Sequence, residues 1–292
     1  MDDDLLESFL EGNNFESARE TIMKPPFGWA GSKARSLEHL LPHLPYEKTF
    51  VDVFGGSGCV TLSRHPSKLD VYNDAYSGVT DFYRCIKSAE LLPLLIDYLK
   101  HNIHGREMFQ LSKNEWKNTV DPVERAAKWY YMVYMSFGCL GRNFARATKS
   151  TISFGAKLQR NLELFWPIHE RMKTVQVENL DFEQCMKDFD SHETVFYCDP
   201  PYMHSDIGIY DEAWPLDKHK RLLSVIFNTH GFVALSGYDN ELYNAMPWDN
   251  KITWQTRITI GSKAFTETNN LIGKENVMQK EATECLWIKE IA

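Results

Sequence analysis

The 292-residue sequence predicts an α/β fold, a doubly wound sheet interrupted by one inserted block. Three observations lead there. Thr49-Phe50-Val51-Asp52-Val53-Phe54 is an apolar, β-prone run that ends on Gly55-Gly56-Ser57-Gly58. Lys68-Leu69-Asp70-Val71-Tyr72 is a second such run, ending on Asn73-Asp74, and Ser77 to Ile86 follows with helical patterning. Strand, glycine turn, helix and a strand closed by an acid are the opening of a doubly wound sheet. The pattern then changes between about 88 and 170 and resumes afterwards, as an insertion would require.

Each element follows in chain order. Residues 1–22 are polar and acidic and read as a flexible arm or a short surface helix. Pro25-Pro26-Phe27-Gly28-Trp29-Ala30-Gly31-Ser32-Lys33 is aromatic and glycine-rich and leads into a helical stretch at Ala34–Leu41. Within the insertion, Leu91–Leu99 and Pro122–Met135 read as helices. Gly138, Gly141 and Gly155 around a Thr/Ser stretch read as a hairpin or a long loop. Thr174–Val177 is then a strand, Asp181–Phe189 a short helix and Thr194–Cys198 a strand running into Asp199-Pro200-Pro201-Tyr202. Leu216–Thr229 is a helix; Phe232–Ser236, Lys251–Ile260 and Glu284–Lys289 are strands that close the sheet.

Composition bounds the function. With 43% hydrophobic and 25% charged residues the chain is ordinary globular protein. It has no run of 18 apolar residues, so no transmembrane helix and no membrane partner are expected. Met1-Asp2-Asp3-Asp4 is not the start of a signal peptide. Cys59, Cys85, Cys139, Cys185, Cys198 and Cys285 form no CxxC pair, so neither a metal site nor a disulfide framework is expected, and a reducing cytoplasm fits. The net charge of −8 argues against nucleic acid until its distribution is read: residues 1–20 carry seven acids and one base. Between Gly138 and Asn161 stand Arg142, Arg146, Lys149, Lys157 and Arg160 with no acid among them. Such a stretch can contact phosphates, because screening confines each charge to its neighbourhood. A solvated charged loop is the competing reading.

Asp199-Pro200-Pro201-Tyr202 carries the chemistry. It follows a buried strand, and ligands of such sheets bind beyond the C-terminal ends of strands. An exocyclic amine on a heteroaromatic ring is a poor nucleophile, since its lone pair is delocalised. A carboxylate (Asp199) accepting one amine hydrogen and a carbonyl (Pro200) accepting the other would favour a pyramidal, more reactive nitrogen. Pro200 and Pro201 fix φ at their own positions and hold the preceding residue extended, which places the carbonyl in advance. Tyr202 offers a flat face for a base, worth about 1–3 kcal/mol. A proline-rich turn with Tyr202 packed on the core is the alternative. In the second motif, glycines after a strand let the backbone approach a ligand closely. The motif is not GxGxxG, so a dinucleotide is not specifically indicated. Asp52 can reach amino or hydroxyl groups from before the glycines, and Asp74 can accept from ribose hydroxyls; a helix cap or turn is the bland role for Asp74. Lys33 at a helix start opposes the macrodipole and points to a ligand carboxylate.

PPFGWAGSK, FVDVFGGSG and YCDPPY, in this order, resemble the motifs of Dam-type (DPPY, alpha-group) N6-adenine-specific DNA methyltransferases, over roughly residues 24–290. The resemblance implies a Rossmann-like S-adenosylmethionine-dependent methyltransferase sheet of seven strands, with an inserted, mostly helical target recognition domain carrying a β-hairpin. The arm would be residues 1–22, the catalytic domain 23–87 and 173–292, and the recognition domain 88–172. It implies S-adenosyl-L-methionine as cofactor, contacted by Trp29, Ala30, Gly31, Lys33, Asp52, Phe54, Gly55, Asp74, Leu180, Asp181, Phe182 and Asp199, with Lys33 near the methionine carboxylate. It implies Asp199, Pro200, Pro201 and Tyr202 as the catalytic set. Double-stranded DNA would be met by a hairpin near Phe137–Phe154 and by Arg142, Asn143, Arg146, Lys149, Lys157 and Arg160. The expected activity is methyl transfer to the N6 amine of a flipped-out adenine, in a bacterial or phage-infected host cytoplasm. The tip sequence departs from the members best known for GATC. A methyltransferase acting on RNA or a protein amide, and a catalytically silent DNA-binding relative, are the alternatives. The recognition sequence, the oligomeric state and a cognate restriction endonuclease are left open.

Overall fold

A computed structural model of the chain describes residues 22–102, 104–145, 153–202, 214–258 and 280–291. Seven strands form one sheet in the order β3-β2-β1-β4-β5-β7-β6. They are β1 (Thr49–Asp52), β2 (Leu69–Asn73), β3 (Val175–Glu178), β4 (Thr194–Cys198), β5 (Phe232–Tyr238), β6 (Asn250–Ile258) and β7 (Lys280–Lys289). β1 to β5 are parallel, and β7 runs antiparallel between β5 and β6. The parallel strands are covered on both faces, which is why they read as unbroken apolar runs. Val51, Phe196, Cys198, Val233 and Leu235 pack one face against α9 (Phe182–Asp188) and α10 (Leu216–Asn228). Phe50, Val195, Tyr197 and Ala234 pack the other against α1 (Leu37–Leu40) and α2 (Cys59–Ser63). The strand order turns back between β1 and β4, so the crevice beyond their C-terminal ends is where a doubly wound sheet binds ligands.

A four-residue helix (Glu241–Asn244) follows β5, and the other α-helices of the described residues stand between β2 and β3. α3 (Ser77–Lys87) joins α4 (Leu91–His101), α5 (Arg106–Glu115), α6 (Pro122–Tyr134), α7 (Phe154–Leu162) and α8 (Phe165–Met172) around a third core that also takes in Phe27, Trp29 and Tyr72. α6 begins on an Asp121 cap with Pro122 in its first turn and buries nearly its whole length. Among the described residues no helix is long and apolar enough to cross a membrane.

Three expectations change. The helix expected at Ala34–Leu41 is a 3₁₀ turn (Lys33–Arg35), α1 and a second 3₁₀ turn (Leu41–His43). Ser36 leaves helical geometry at φ −107°, ψ 3°, with its hydroxyl bound to Glu284. The hairpin expected near Phe137–Phe154 is, among the described residues, one antiparallel bridge, Ser136 to Phe144. Gly138, Cys139 and Gly141 all have positive φ, which coils the segment too tightly for a ladder. From Ser153 the chain is helical, because the Ser153 hydroxyl accepts the Ala156 N–H and Leu158 and Leu162 bury one face. Lys157 and Arg160 therefore sit on a helix; Arg146 and Lys149 lie outside the described residues. α5 and α8 were not expected at all. α8 hides behind Pro167, which its first turn tolerates because the missing N–H has no helical partner there.

Candidate active site

The glycine loop after β1 is bracketed by two aromatic rings. A Cβ on Gly55 would sit 2.2 Å from the Tyr72 ring, whose hydroxyl donates to the Gly56 carbonyl at 2.6 Å. Gly56 has φ +50°, and a Cβ there would meet the Trp29 indole at 2.9 Å. Only glycine fits either position. Asp74 closes the loop from β2, accepting the N–H of Gly56 at 2.9 Å and of Tyr76 at 2.8 Å. Burial pushes its carboxyl up to about 6 against those two hydrogen bonds. Asn73 beside it donates to the carbonyls of Val53 and Leu180 and accepts the Leu180 N–H, fastening the segment after β3 to the end of β1. On this side the rings of Phe54, Phe182 and Trp214 meet one another at 5.4–5.9 Å.

Asp52, the last residue of β1, is buried and takes one hydroxyl, that of Thr61, at 2.8 Å. Burial raises its carboxyl to about 7, Thr61 opposes the rise, and the charges of Asp199 and Asp74 add to it.

Asp199 follows β4, and its carboxylate meets the Lys33 ammonium with Oδ1 at 2.7 Å and Oδ2 at 2.6 Å. Lys33 also donates to the Gly31 carbonyl at 2.9 Å and lies 3.5 Å from Glu284 Oε1. Burial alone would lower the Lys33 pKa; Asp199 and Glu284 outweigh it and raise it. Asp199 is held up at about 6, by burial first, with Lys33 pulling down and Glu284 pushing up. The Tyr202 hydroxyl donates to Glu284 Oε1 at 2.8 Å, and its ring stands edge-on to Tyr238 with centroids 4.6 Å apart. A pocket of about 300 Å³ opens here, lined by Tyr202, Gly237, Tyr238, Asp239, Asn240 and Tyr243 among others. One ion-paired carboxylate thus stands beside an aromatic-walled pocket, at the end of the strand that pairs with β1 and its glycine loop, where two further acids are buried. Such a site can accept hydrogens from a planar amine while a second ligand lies along the loop. Among the described residues no cluster of His, Cys, Asp and Glu could hold a metal ion.

A profile of the D12 class N6 adenine-specific DNA methyltransferase family matches residues 29–282. The chain belongs to that family. It is 25% identical over 181 residues to the DNA adenine methylase of Escherichia coli (strain K12), a match covering 60% of this chain and 63% of the relative. The chain thus spans less than two thirds of that methylase's length. It is 26% identical over 263 residues to the type II methyltransferase M.FokI of Planomicrobium okeanokoites, covering 79% of this chain and 39% of that protein. The solved rRNA methyltransferase aviRa of Streptomyces viridochromogenes superposes with a TM-score of 0.33 at 12% identity, over 86% of this chain and 80% of that one. The methyltransferase fold is carried by the sheet itself, with its parallel strands and antiparallel β7.

Of the residues singled out from the sequence, the structure brings Gly31, Lys33, Asp199 and Tyr202 into one cluster. Trp29, Asp52, Gly55 and Asp74 surround the loop, with Ala30 half-buried against the helical core and Phe54 and Phe182 in ring contact. Leu180 is held by Asn73. Asp181 is placed differently: it is exposed, accepts the Glu183 N–H as the cap of α9 and pairs with Arg221 through both carboxylate oxygens at 2.7 Å. Arg142 and Asn143 stand on the turn after α6, about 15 residues from Lys157 and Arg160 on α7. Sequence reasoning missed Asn73, Trp214, Tyr238, Ser36 and Glu284. Tyr238 follows β5, so the rule that ligands gather beyond strand ends could have found it. Glu284 belongs to a stretch, Thr283-Glu284-Cys285-Leu286-Trp287, that resembles family members, but its place in the site comes from antiparallel pairing.

Proposed function

We propose that the protein transfers the methyl group of S-adenosyl-L-methionine to the N6 amine of an adenine flipped out of duplex DNA. The observation that carries this reading is Asp199-Pro200-Pro201-Tyr202 at the end of β4, its carboxylate oriented by Lys33 and its tyrosine forming one wall of a pocket. The residues along the loop fit the cofactor: Gly31 has no atom within 4 Å of where a Cβ would be, and Asp52 and Asp74 are acids suited to an ammonium or hydroxyls. Trp29, Ala30, Gly31, Lys33, Asp52, Phe54, Gly55, Asp74, Leu180, Phe182 and Asp199 would hold it, with Asp181 at the margin. When bound, it supplies a methyl on a sulfonium, already a good leaving group. The chain's part is to hold the amine. Asp199 accepts one N–H and the Pro200 carbonyl the other, which favours a pyramidal nitrogen and takes its lone pair out of conjugation with the ring. Tyr202, with Tyr238 packed edge-on beside it, offers a ring to the base once it has left the stack, at a cost of a few kcal/mol. Fixed geometry then supplies much of the rate.

The unit at 88–172 is the target recognition domain in this reading, the rest being catalytic apart from the arm at 1–22. Arg142 and Asn143 are suited to base edges, and Lys157 and Arg160 to phosphates; Arg146 and Lys149 belong to the same basic stretch. The test is transfer of tritiated methyl from S-adenosylmethionine to duplex DNA, RNA and protein side by side, followed by nucleoside analysis. N6-methyladenine in DNA is expected, and Asp199→Ala should lower it by about a hundredfold or more while cofactor binding by calorimetry falls far less, since Asp199 is one of several residues that would hold it. Label in RNA or protein with none in DNA, or full activity of Asp199→Ala, sinks the reading.

A further inference from the structure

We propose that Glu284 is a positioning residue for the Asp199 site: it anchors the Tyr202 hydroxyl and offers the Lys33 ammonium a second carboxylate, leaving Asp199 free to turn to the acceptor amine. This rests on the functional reading above. Glu284 lies on β7 and is 5% exposed. Its backbone is fixed from both sides, opposite Tyr238 on β5 and Trp254 on β6. Both carboxylate oxygens are occupied: Oε1 accepts the Tyr202 hydroxyl at 2.8 Å and faces Lys33 at 3.5 Å, while Oε2 accepts the Ser36 hydroxyl at 3.1 Å.

Stability alone does not call for this acid. Lys33 is neutralised by Asp199, so Glu284 adds an uncompensated negative charge to a buried cluster, which is costly. A glutamine would keep the same shape and could still accept from Tyr202. What glutamine cannot do is offer Lys33 a negative charge. The ammonium now engages both oxygens of Asp199, the oxygens the amine needs. Its 3.5 Å separation from Glu284 is less than about 1 Å beyond an ordinary charge-assisted hydrogen bond, so a small shift hands the ammonium over. The groups facing Asp199 are Lys33, Glu284 and Asp52, with the phenols of Tyr197, Tyr202, Tyr238 and Tyr243 and the thiol of Cys198. Of the two acids in that set, only Glu284 also touches Lys33 and Tyr202.

The test uses Glu284→Gln and Glu284→Asp. Titrating ¹³C-labelled aspartate carboxyls by NMR in the cofactor-free protein, with the Asp199 signal assigned from Asp199→Asn, reads the coupling without any turnover. Asp199 should titrate at lower pH in Glu284→Gln than in the wild type, and nearer the wild type in Glu284→Asp. An unchanged titration in Glu284→Gln overturns the proposal. In steady-state methylation Glu284→Gln should lose about tenfold in kcat. Its KM for S-adenosylmethionine should stay within about twofold, and Glu284→Asp should recover part of the loss. A glutamine variant as active as the aspartate variant also overturns it. If the wild type methylates no DNA adenine, the functional reading falls, and the carboxyl titration still decides the role of Glu284.

Discussion

Asp52 is an acid buried beneath a glycine loop with a single hydroxyl for company, a placement that burial penalises whenever the group is charged. Its carboxyl is pushed up to about 7, mainly by burial. The consequence for stability has a definite sign. The folded chain holds this proton more tightly than the unfolded chain, whose carboxyl has the ordinary value near 3.8. Below about pH 4 the group is neutral in both states. As pH rises from there to about 7 the unfolded chain releases the proton first, so this group's contribution to stability declines across that window. Asp74 and Asp199, both raised to about 6, act in the same sense. Asp52→Asn removes one such charge at nearly constant shape. We expect its thermal midpoint to exceed that of the wild type at pH 8 and the advantage to vanish near pH 4, while its affinity for S-adenosylmethionine falls. A midpoint difference independent of pH would mean that the charge at Asp52 is not what the fold is holding against its preference.

Among the elements, α3 and α6 make the tightest helix contact, and one glycine permits it. A Cβ on Gly78, in the first turn of α3, would lie 2.2 Å from the Trp129 ring of α6. Trp129 cannot retreat, because it is fully buried and its ring packs edge-on against Phe27 at 5.2 Å. Gly78→Ala should therefore cost about 1–3 kcal/mol in denaturant unfolding. Gly105→Ala, at a position with no atom within 4 Å of its Cβ, should stay within about 0.5 kcal/mol. Equal effects of the two would contradict the packing account. The same element scale explains what could be read in advance. β1, β2 and β4 stood out because strands buried on both faces are continuous apolar runs, and the glycines after β1 mark a turn no other residue allows. α5 was hidden by polarity: only Phe109 and Ser112 of its ten residues are buried, so it shows almost no apolar stripe. α7 was hidden by Gly155 in its first turn, which reads as a loop until the Ser153 cap is seen. In the site, Lys33, Asp199 and Tyr202 were legible because each belongs to a short motif. Glu284 and Tyr238 lie in stretches that resemble the family, 283–287 and 234–240, but their roles were not legible, because what joins them is the β5–β7 register, a property of two strands distant in sequence.

At the scale of the molecule, the segment 25–33 is also the joint between sheet and helical block. The Pro26 carbonyl receives the Tyr130 hydroxyl and the Asn161 amide, from α6 and α7, while Lys33 seven residues on reaches β4. The helical block is thereby tied to the end of β4 through one short segment. Charge is unevenly placed along the chain. The chain is acidic at −8, yet residues 1–20 alone account for a net −6, and the stretch 138–161 is wholly basic. On α7, Lys157 and Arg160 are exposed, and the Lys157 ammonium lies over the Phe154 ring at 4.9 Å. Exposed cations on one short helix are suited to phosphates, which reward charge and not sequence. The double variant Lys157→Ala/Arg160→Ala should therefore weaken binding to duplexes of any sequence. The plot of log affinity against log salt should become shallower by about 0.9 for each phosphate the helix no longer neutralises. Preference for the methylated site over other sequences should be retained. Neither residue touches the glycine loop or Lys33, so cofactor affinity and the thermal midpoint should not move. Fluorescence anisotropy at several salt concentrations, with a specific and a random duplex, separates the outcomes. An unchanged slope would take α7 out of the DNA-binding surface, and loss of sequence preference with an unchanged slope would make it a reader of bases.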